Sequence, residues 1–287
     1  MSSFSNLKKL GIENDTTCIS MVLNDPHNVF QVVEEVRPDE IYNLAGQSSV
    51  GLSFHQPMET LVSIVNGTLN LLDSIRVLNR NIRFYNASSG ECFGDCNGSP
   101  ALEDSPFRPQ SPYAVAKASA HWLVDNFRQS YGLFACSGIL FNHESPLRPA
   151  RFVTRKITRS AHRIAQGSEE KLELGNLEIS RDWGWAPEYV EAMYRMLCHD
   201  NPEDFVIATG KVNSLRRFTG LAFDRVGLDY RDHVITRAEL LRPSEIMMSY
   251  GNASKAREHL DWAPEYAMDE VVQKMMDAEA NSALDSE

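Results

Sequence analysis

The sequence predicts an α/β protein: a Rossmann-like, doubly wound parallel sheet, N-terminally truncated, with a smaller α/β substrate-binding lobe. Three observations predict it. Short β-rich runs alternate with longer helical ones, the pattern of βα units laid into a parallel sheet. The loops after two of these runs, Gly46-Gln47-Ser48-Ser49-Val50 and Ser88-Ser89-Gly90-Glu91, are small and polar where such sheets bind ligands. Tyr113 and Lys117 stand four residues apart in a helical run opening at Pro112, so they share one face.

In chain order, the expected strands are Thr17 to Val22, Glu40 to Ala45, Ile82 to Ser88, Phe134 to Phe141, Lys171 to Leu174 and Asp204 to Ala208. The expected helices are His27 to Val36, Met58 to Asn79, Pro112 to Tyr131, Phe152 to Gln166, Ala186 to His199, Ser214 to Val226, Ala253 to Leu260 and Met268 to Ala280. Pro38, Pro112 and Pro202 punctuate these elements where proline is tolerated. The expected division is residues 1–141 and about 175–210 in the dinucleotide-binding domain, with about 142–174 and 211–287 in the second lobe. No internal repeat and no low-complexity tract interrupts the pattern.

With 287 residues, a single α/β core with an appended region fits the length. A net charge of −11 argues against a nucleic-acid partner, which calls for excess Lys and Arg. No apolar run approaches the roughly 18 residues of a membrane span, so no membrane partner is expected. The opening Met-Ser-Ser-Phe-Ser-Asn-Leu-Lys-Lys lacks the layout of a secretory signal, and five scattered cysteines fit a reducing compartment; the expected location is cytoplasmic. No metal site is expected, because Cys92 and Cys96 are not spaced as Cys-x-x-Cys and His143 has no partner His at ligand spacing. One segment runs against the acidic balance: if 151–163 is helical, Arg151, Arg155, Arg159 and Arg163 form one basic stripe. That stripe is either a solvated face or a site for a small phosphorylated ligand.

Ser89 at a strand end, facing Tyr113 and Lys117, has the makings of a device that moves a hydroxyl proton while a hydride leaves. A free phenol titrates near pH ~10, so Tyr113 needs a neighbouring cation to act as a base, and Lys117 is the expected one. The glycine fingerprint that seats a dinucleotide's pyrophosphate does not precede Glu40; either the fold differs or its opening βα unit is missing from this chain.

Several segments together carry a family resemblance: Glu40-Ile-Tyr-Asn-Leu-Ala-Gly-Gln-Ser48, Ser111-Pro112-Tyr113 to Lys117, Gly138 to Pro146, Phe152-Val153-Thr154-Arg155-Lys156, Arg181-Asp182-Trp183-Gly184, Asp204 to Gly210, and Arg242-Pro243-x-Glu245. From about Leu10 to about Glu279 the chain resembles the GDP-mannose 4,6-dehydratases of the extended short-chain dehydrogenase/reductase superfamily. The resemblance implies a GDP-sugar substrate and NADP, in preference to NAD. It implies catalytic roles for Ser89, Glu91, Tyr113 and Lys117, with the cofactor held by Leu44, Ala45, Gln47, Ser48, Tyr113 and Lys117. Substrate binding would fall to Asn142, Val153, Lys156, Arg181, Arg242 and Glu245. Tyr113 would take the C4 hydroxyl proton, Glu91 the C5 proton, and the C6 hydroxyl would leave as water to give a 4-keto-6-deoxy sugar nucleotide. A homodimer or homotetramer is implied as well.

The chain departs from the family pattern at Ser89, where Thr is usual, at Met21-Val22, which replace Gly-Asp and leave Asp25 in the second acidic position, at Pro149 in place of Gly, and at Met247 in place of Asp. Two other functions use much of the same machinery: a sugar-nucleotide 4-epimerase or reductase, and a truncated, non-catalytic GDP-sugar-binding paralogue. Glu91 separates the first from a dehydratase, because water loss needs a positioned acid-base that simple C4 epimerisation does not.

Overall fold

A computed structural model describes residues 4–78 and 80–284. After a short helix α1 (Ser5–Leu10), α2 (Pro26–Val36) starts with Asp25, whose carboxylate accepts the amides of His27 and Asn28 at 3.0 and 3.2 Å. This is N-capping by the residue left in the second acidic position. The strand expected over Thr17 to Val22 does not form. Ile19 and Val22 are about half exposed and pair with no strand among the described residues, so β-propensity there has no ladder to join.

The main sheet has four parallel strands in the order β1 (Glu40–Asn43), β2 (Arg83–Ser89), β3 (Ala135–Leu140), β7 (Phe205–Ile207). Asn43, Asn86 and Ser137 lie side by side across three strands, joined by amide hydrogen bonds of 3.3 and 3.4 Å. Such a ladder satisfies polar side chains buried between strand and helix.

Between β1 and β2 run α3 (Val50–His55), then α4 (Pro57–Leu61), a π-helical turn (Val62–Asn66) and α5 (Gly67–Leu78) as one continuous helical stretch. The predicted end at Asn79 lies outside the described residues, as do Met1 to Ser3. At 22 residues, with a window of mean hydropathy 1.3, the stretch is long and apolar enough to cross a membrane, where the sequence suggested none. Its Ser, Thr and Asn residues break the apolar run without lowering the mean below that of a span. Here it packs as a core helix. Ile64 lies against Ala116 and Ala120, and Leu71, Leu72 and Ile75 join Val29, Val33, Phe84 and Val124.

Helix α6 (Pro112–Tyr131) follows β2; Ser111 caps it by accepting the Ala114 amide at 3.1 Å, and Pro112 occupies the first turn. Beyond β3 the chain turns into β4 (Asn142–Glu144), α7 (Val153–Ala165), β5 (Leu172–Leu174), β6 (Ser180–Trp185) and α8 (Ala186–Cys198). After β7 come β8 (Val212–Ser214), α9 (Leu215–Asp224), α10 (Tyr230–His233), β9 (Val234–Thr236), β10 (Met248–Ser249), α11 (Ser254–Leu260) and α12 (Met268–Leu284).

The second sheet runs β10, β6, β4, with β8 antiparallel to β6, while β5 and β9 pair alone. Its pairing corrects the expected division. β6 lies within 175–210, assigned to the dinucleotide-binding domain, yet its hydrogen bonds go to β4, β8 and β10. Ala256, Leu260 and Trp262, assigned to the second lobe, pack with Tyr85, Cys136 and Phe205 of the main sheet. The second lobe has its own core, in which Ile157, Trp183, Phe218, Phe223 and Val272 are buried.

Candidate functional site

Ser89 ends β2, and its hydroxyl accepts the Glu91 amide at 3.2 Å. The turn that follows has room for no side chain at Gly90, where a Cβ would lie 2.8 Å from the Phe141 ring. This fixes Glu91 just past the strand end, half-buried. Helix α6 brings Tyr113 to the same place, and the Ser89 hydroxyl hydrogen-bonds the phenol. Lys117, one turn further along, is 7% exposed and donates from Nζ to the Ala87 carbonyl at 2.8 Å. The four residues expected to act together are therefore brought together.

Their electrostatics differ from the sequence expectation in one respect. Burial pushes the Tyr113 phenol above its ordinary value, and the opposing influences are the Ser89 hydrogen bond and the Arg148 guanidinium rather than Lys117. Lys117 itself is pushed down to about 8 by burial. Its Nζ lies 5.9 Å from the Tyr113 ring centre, a contact with the ring face and not with the phenol oxygen.

Opposite Glu91 is a cluster of charges from the second lobe. Arg181 on β6 is 3% exposed, and its Nη2 stands 3.4 Å from Glu245 Oε1; Arg242 Nη1 is also 3.4 Å from that oxygen. Burial lowers the Arg181 pKa while Glu91, Glu245 and Asp95 act to raise it. Burial likewise raises the carboxyl of Glu245, opposed by both arginines. Both guanidiniums present planar donor forks, the geometry that suits a diphosphate. Asp95, which the sequence did not single out, accepts the amides of Met247 and Met248 at 2.8 and 3.3 Å and so ties the Arg242–Glu245 segment to the turn after Glu91. Met247 thus enters this tie through its backbone.

The loop after β1 turns at Gly46, whose φ of +110° favours glycine and where a Cβ would lie 2.6 Å from Ile64 Cγ1. Gln47 folds back through Nε2 to the Ser49 carbonyl at 2.8 Å and to Thr60 at 3.1 Å. Leu44, Ala45 and Ser48 lie beside it, all three exposed. They form an open shelf at the strand carboxyl ends.

Asn142, on β4, is half-buried and follows directly after β3, the strand that pairs with β2. Val153 and Lys156 belong to α7, and Lys156 donates from Nζ to the Glu173 carbonyl at 2.6 Å. Lys156 also lines a cavity of about 270 Å³ with Arg159, Ser160, Arg163, Lys171 and Glu173.

The expected single stripe of arginines is not continuous. Arg155 turns inward, its Nη1 2.6 Å from Glu279 of α12, while Arg163 pairs with Glu170 at 2.7 Å and Arg151 stacks on Phe152 at 4.8 Å. Helical spacing gives a shared face but not its orientation; Arg155 sits with buried Thr154 and Thr158 on the edge turned to α12, and the Thr158 hydroxyl also donates to Glu279 at 3.4 Å. The sequence also missed Arg148. It reaches Glu144 at 3.0 Å and the His143 carbonyl at 3.1 Å, and lies over Phe152 at 4.2 Å. Its sequence signal was its place among the arginines between Ser145 and Ser168, where no acidic residue falls.

A model of the family described as GDP-mannose 4,6 dehydratase matches residues 1–275. The chain is similar to GDP-mannose 4,6 dehydratase 1 of Arabidopsis thaliana, 44% identical over 265 residues that make up 91% of this chain and 73% of the relative. Its similarity to GDP-mannose 4,6 dehydratase of Homo sapiens is also 44%, over 276 residues, 90% of this chain and 74% of the relative. Among solved structures it resembles RMD from Pseudomonas aeruginosa complexed with NADPH, with a TM-score of 0.84 and 23% identity over 98% of this chain and 97% of that one. The UDP-glucose 4-epimerase of Thermus thermophilus, in complex with NAD, gives a TM-score of 0.80 and 25% identity over 91% and 83% of the two chains. These likenesses to solved structures show the fold.

Proposed function

Because this chain belongs to the GDP-mannose 4,6-dehydratase family, we propose that it is a lyase that converts GDP-mannose to GDP-4-keto-6-deoxymannose. The observation that carries this reading is Glu91 fixed two residues past Ser89, beside Tyr113 and within the field of Arg181. Proton transfer at C4 and elimination across C5 and C6 then have separate groups.

Tyr113 receives the C4 hydroxyl proton while Ser89 holds the oxygen, and Lys117 fixes the Tyr113 face of the site through Ala87. The resulting ketone acidifies C5; Glu91 takes that proton and protonates the departing C6 hydroxyl. Arg181 and Arg242 hold the diphosphate, with Asn142, Val153 and Lys156 placing the rest of the GDP-sugar.

The residues present fit the nicotinamide-ribose end of a dinucleotide: Tyr113 and Lys117 border the strand ends, and the Leu44 to Ser48 shelf lies alongside with Gly46 bringing backbone close. A Gly-x-x-Gly-x-x-Gly turn for the pyrophosphate does not occur in the sequence. A bound nicotinamide would supply a hydride acceptor for C4 and the hydride donor for C6, with no net redox change. NADP rather than NAD, a cytoplasmic setting, and a homodimer or homotetramer complete the proposal on the strength of the family resemblance.

Incubating the purified chain with GDP-mannose and NADP, and assaying for a 4-keto product, tests the reading. A 4-epimer, or binding of GDP-mannose without turnover, would replace it with one of the two alternatives.

A further inference from the structure

We propose that His199, Glu203 and His259 form a binding site for a divalent transition-metal ion, zinc above all, which clamps α11 to the end of α8. The three residues come from separate elements. His199 follows the last turn of α8, Glu203 lies in the loop that leads into β7, and His259 is in the last turn of α11. Their ligand atoms all lie within 4.8 Å of one another.

Two imidazoles and a carboxylate are a donor set suited to Zn²⁺, with bonds of ~2.0–2.2 Å and a fourth position left for water. Around such an ion, donor atoms stand ~3.4 Å apart, so the observed spread closes with side-chain movements of about 1 Å.

A second observation, independent of proximity, is the way two of the ligands are oriented. His199 Nδ1 lies 2.9 Å from the Asn201 carbonyl oxygen, which can only accept, and 3.4 Å from the Asn201 amide; the shorter contact puts the proton on Nδ1 and leaves Nε2 its lone pair. A backbone carbonyl fixing the far nitrogen of a ligating histidine is the usual outer support of a metal site. Glu203 is divided in a comparable way. Lys255 Nζ takes Oε2 at 3.0 Å and also donates to the Asp204 carbonyl at 2.9 Å, leaving Oε1 facing His259 Nδ1 at 3.8 Å. The buried ring of Phe205 lies beneath both histidines, each centroid 6.2 Å away, and gives the cluster an apolar floor.

The ion would join two elements that already meet through Arg195, which donates to the Leu260 carbonyl at 3.1 Å. Ligand binding to the folded form alone stabilises it in proportion to the logarithm of concentration, so the clamp has a readout separate from catalysis.

The test titrates the full chain, freed of metal by chelator and dialysis, with Zn²⁺ and with Co²⁺ as a coloured substitute. One equivalent should bind, and Tm should rise with Zn²⁺ concentration. Both effects should be lost in His259→Ala, chosen because its side chain is exposed, and in Glu203→Gln, each compared with its own metal-free Tm. They should persist in Cys198→Ser, which removes the neighbouring exposed thiol. Failure to bind one equivalent overturns the proposal. So does binding that survives His259→Ala, or binding that disappears in Cys198→Ser.

Discussion

Lys117 donates to the carbonyl of Ala87 at 2.8 Å while its Nζ stands 5.9 Å from the centre of the Tyr113 ring. The ammonium is thereby anchored to β2, two residues before Ser89, and the helix that carries Tyr113 is anchored with it. Lys117→Met should lower kcat by ~10²-fold, the range for misplacing a reacting group such as Tyr113, as measured by 4-keto product formation. Near-normal turnover in this variant would remove Lys117 from the mechanism. Its titration gives a second readout. Burial moves the folded pKa from 10.5 down to about 8, so folding favours the neutral amine. The cost of burying the ammonium is present in full below pH 8 and is relieved between about 8 and 10.5, by ~3 kcal/mol at most. Urea midpoints across that window should rise for the wild type relative to Lys117→Met.

Glu91→Gln keeps the shape of the turn and the backbone bond to Ser89, but cannot take a proton. In deuterated water the wild-type product should carry deuterium at C5, and the variant should form it ~10²–10⁴-fold more slowly. Undiminished deuterium incorporation in the variant would mean that another base works at C5.

The inward turn of Arg155 makes a sharp prediction about stability. Arg155 and Glu279 are both largely buried and 2.6 Å apart, so Glu279→Gln or Arg155→Met strands a charge and should cost ~3–5 kcal/mol in urea unfolding. Arg163→Ala breaks an exposed pair with Glu170 and should cost no more than ~1 kcal/mol. Equal costs would show that Arg155 is as solvated as Arg163, two turns further along the stripe.

Acid should unfold the chain partly through His143. Stacked on Tyr189 at 4.6 Å, with Nδ1 2.8 Å from the Phe141 carbonyl, it is pushed down to about 4 chiefly by burial. A histidine whose folded pKa is depressed binds its proton more readily when unfolded, so stability falls as pH drops from about 6.5 through about 4. The contribution is ~3 kcal/mol at most. His143→Gln should flatten that part of the pH-stability curve, and an unchanged slope would assign acid sensitivity elsewhere.

Much of the main sheet was legible because βα alternation is local. β2 and α6 were found within a residue or two, and Ser89, Glu91, Tyr113 and Lys117 came from a motif that the fold brings together. The second sheet was not legible. β4, β8 and β10 have three, three and two residues, too few for a period to show, and they exist because β6 gathers them from distant parts of the chain. Thr17 to Val22 failed for the opposite reason, having strand-like residues and no neighbouring strand. Arg155 was misplaced because spacing reports which residues share a face, while its partner on α12 decides which way that face looks. His199, Glu203 and His259 escaped for the same reason, since no local spacing joins the end of α8 to α11.

The π-helical turn at Val62–Asn66 acts as a phase adjuster. One extra residue in a helix rotates everything beyond it by roughly 100°. Upstream, Thr60 accepts from the Gln47 side chain, and within the turn Ser63 accepts from the Gln47 amide; downstream, Leu71 and Ile75 point into the core beside α2. A single-residue deletion there would leave both halves helical and the composition almost unchanged. It would still turn one half away from its partner, so a comparison of related sequences by identity alone would miss the loss.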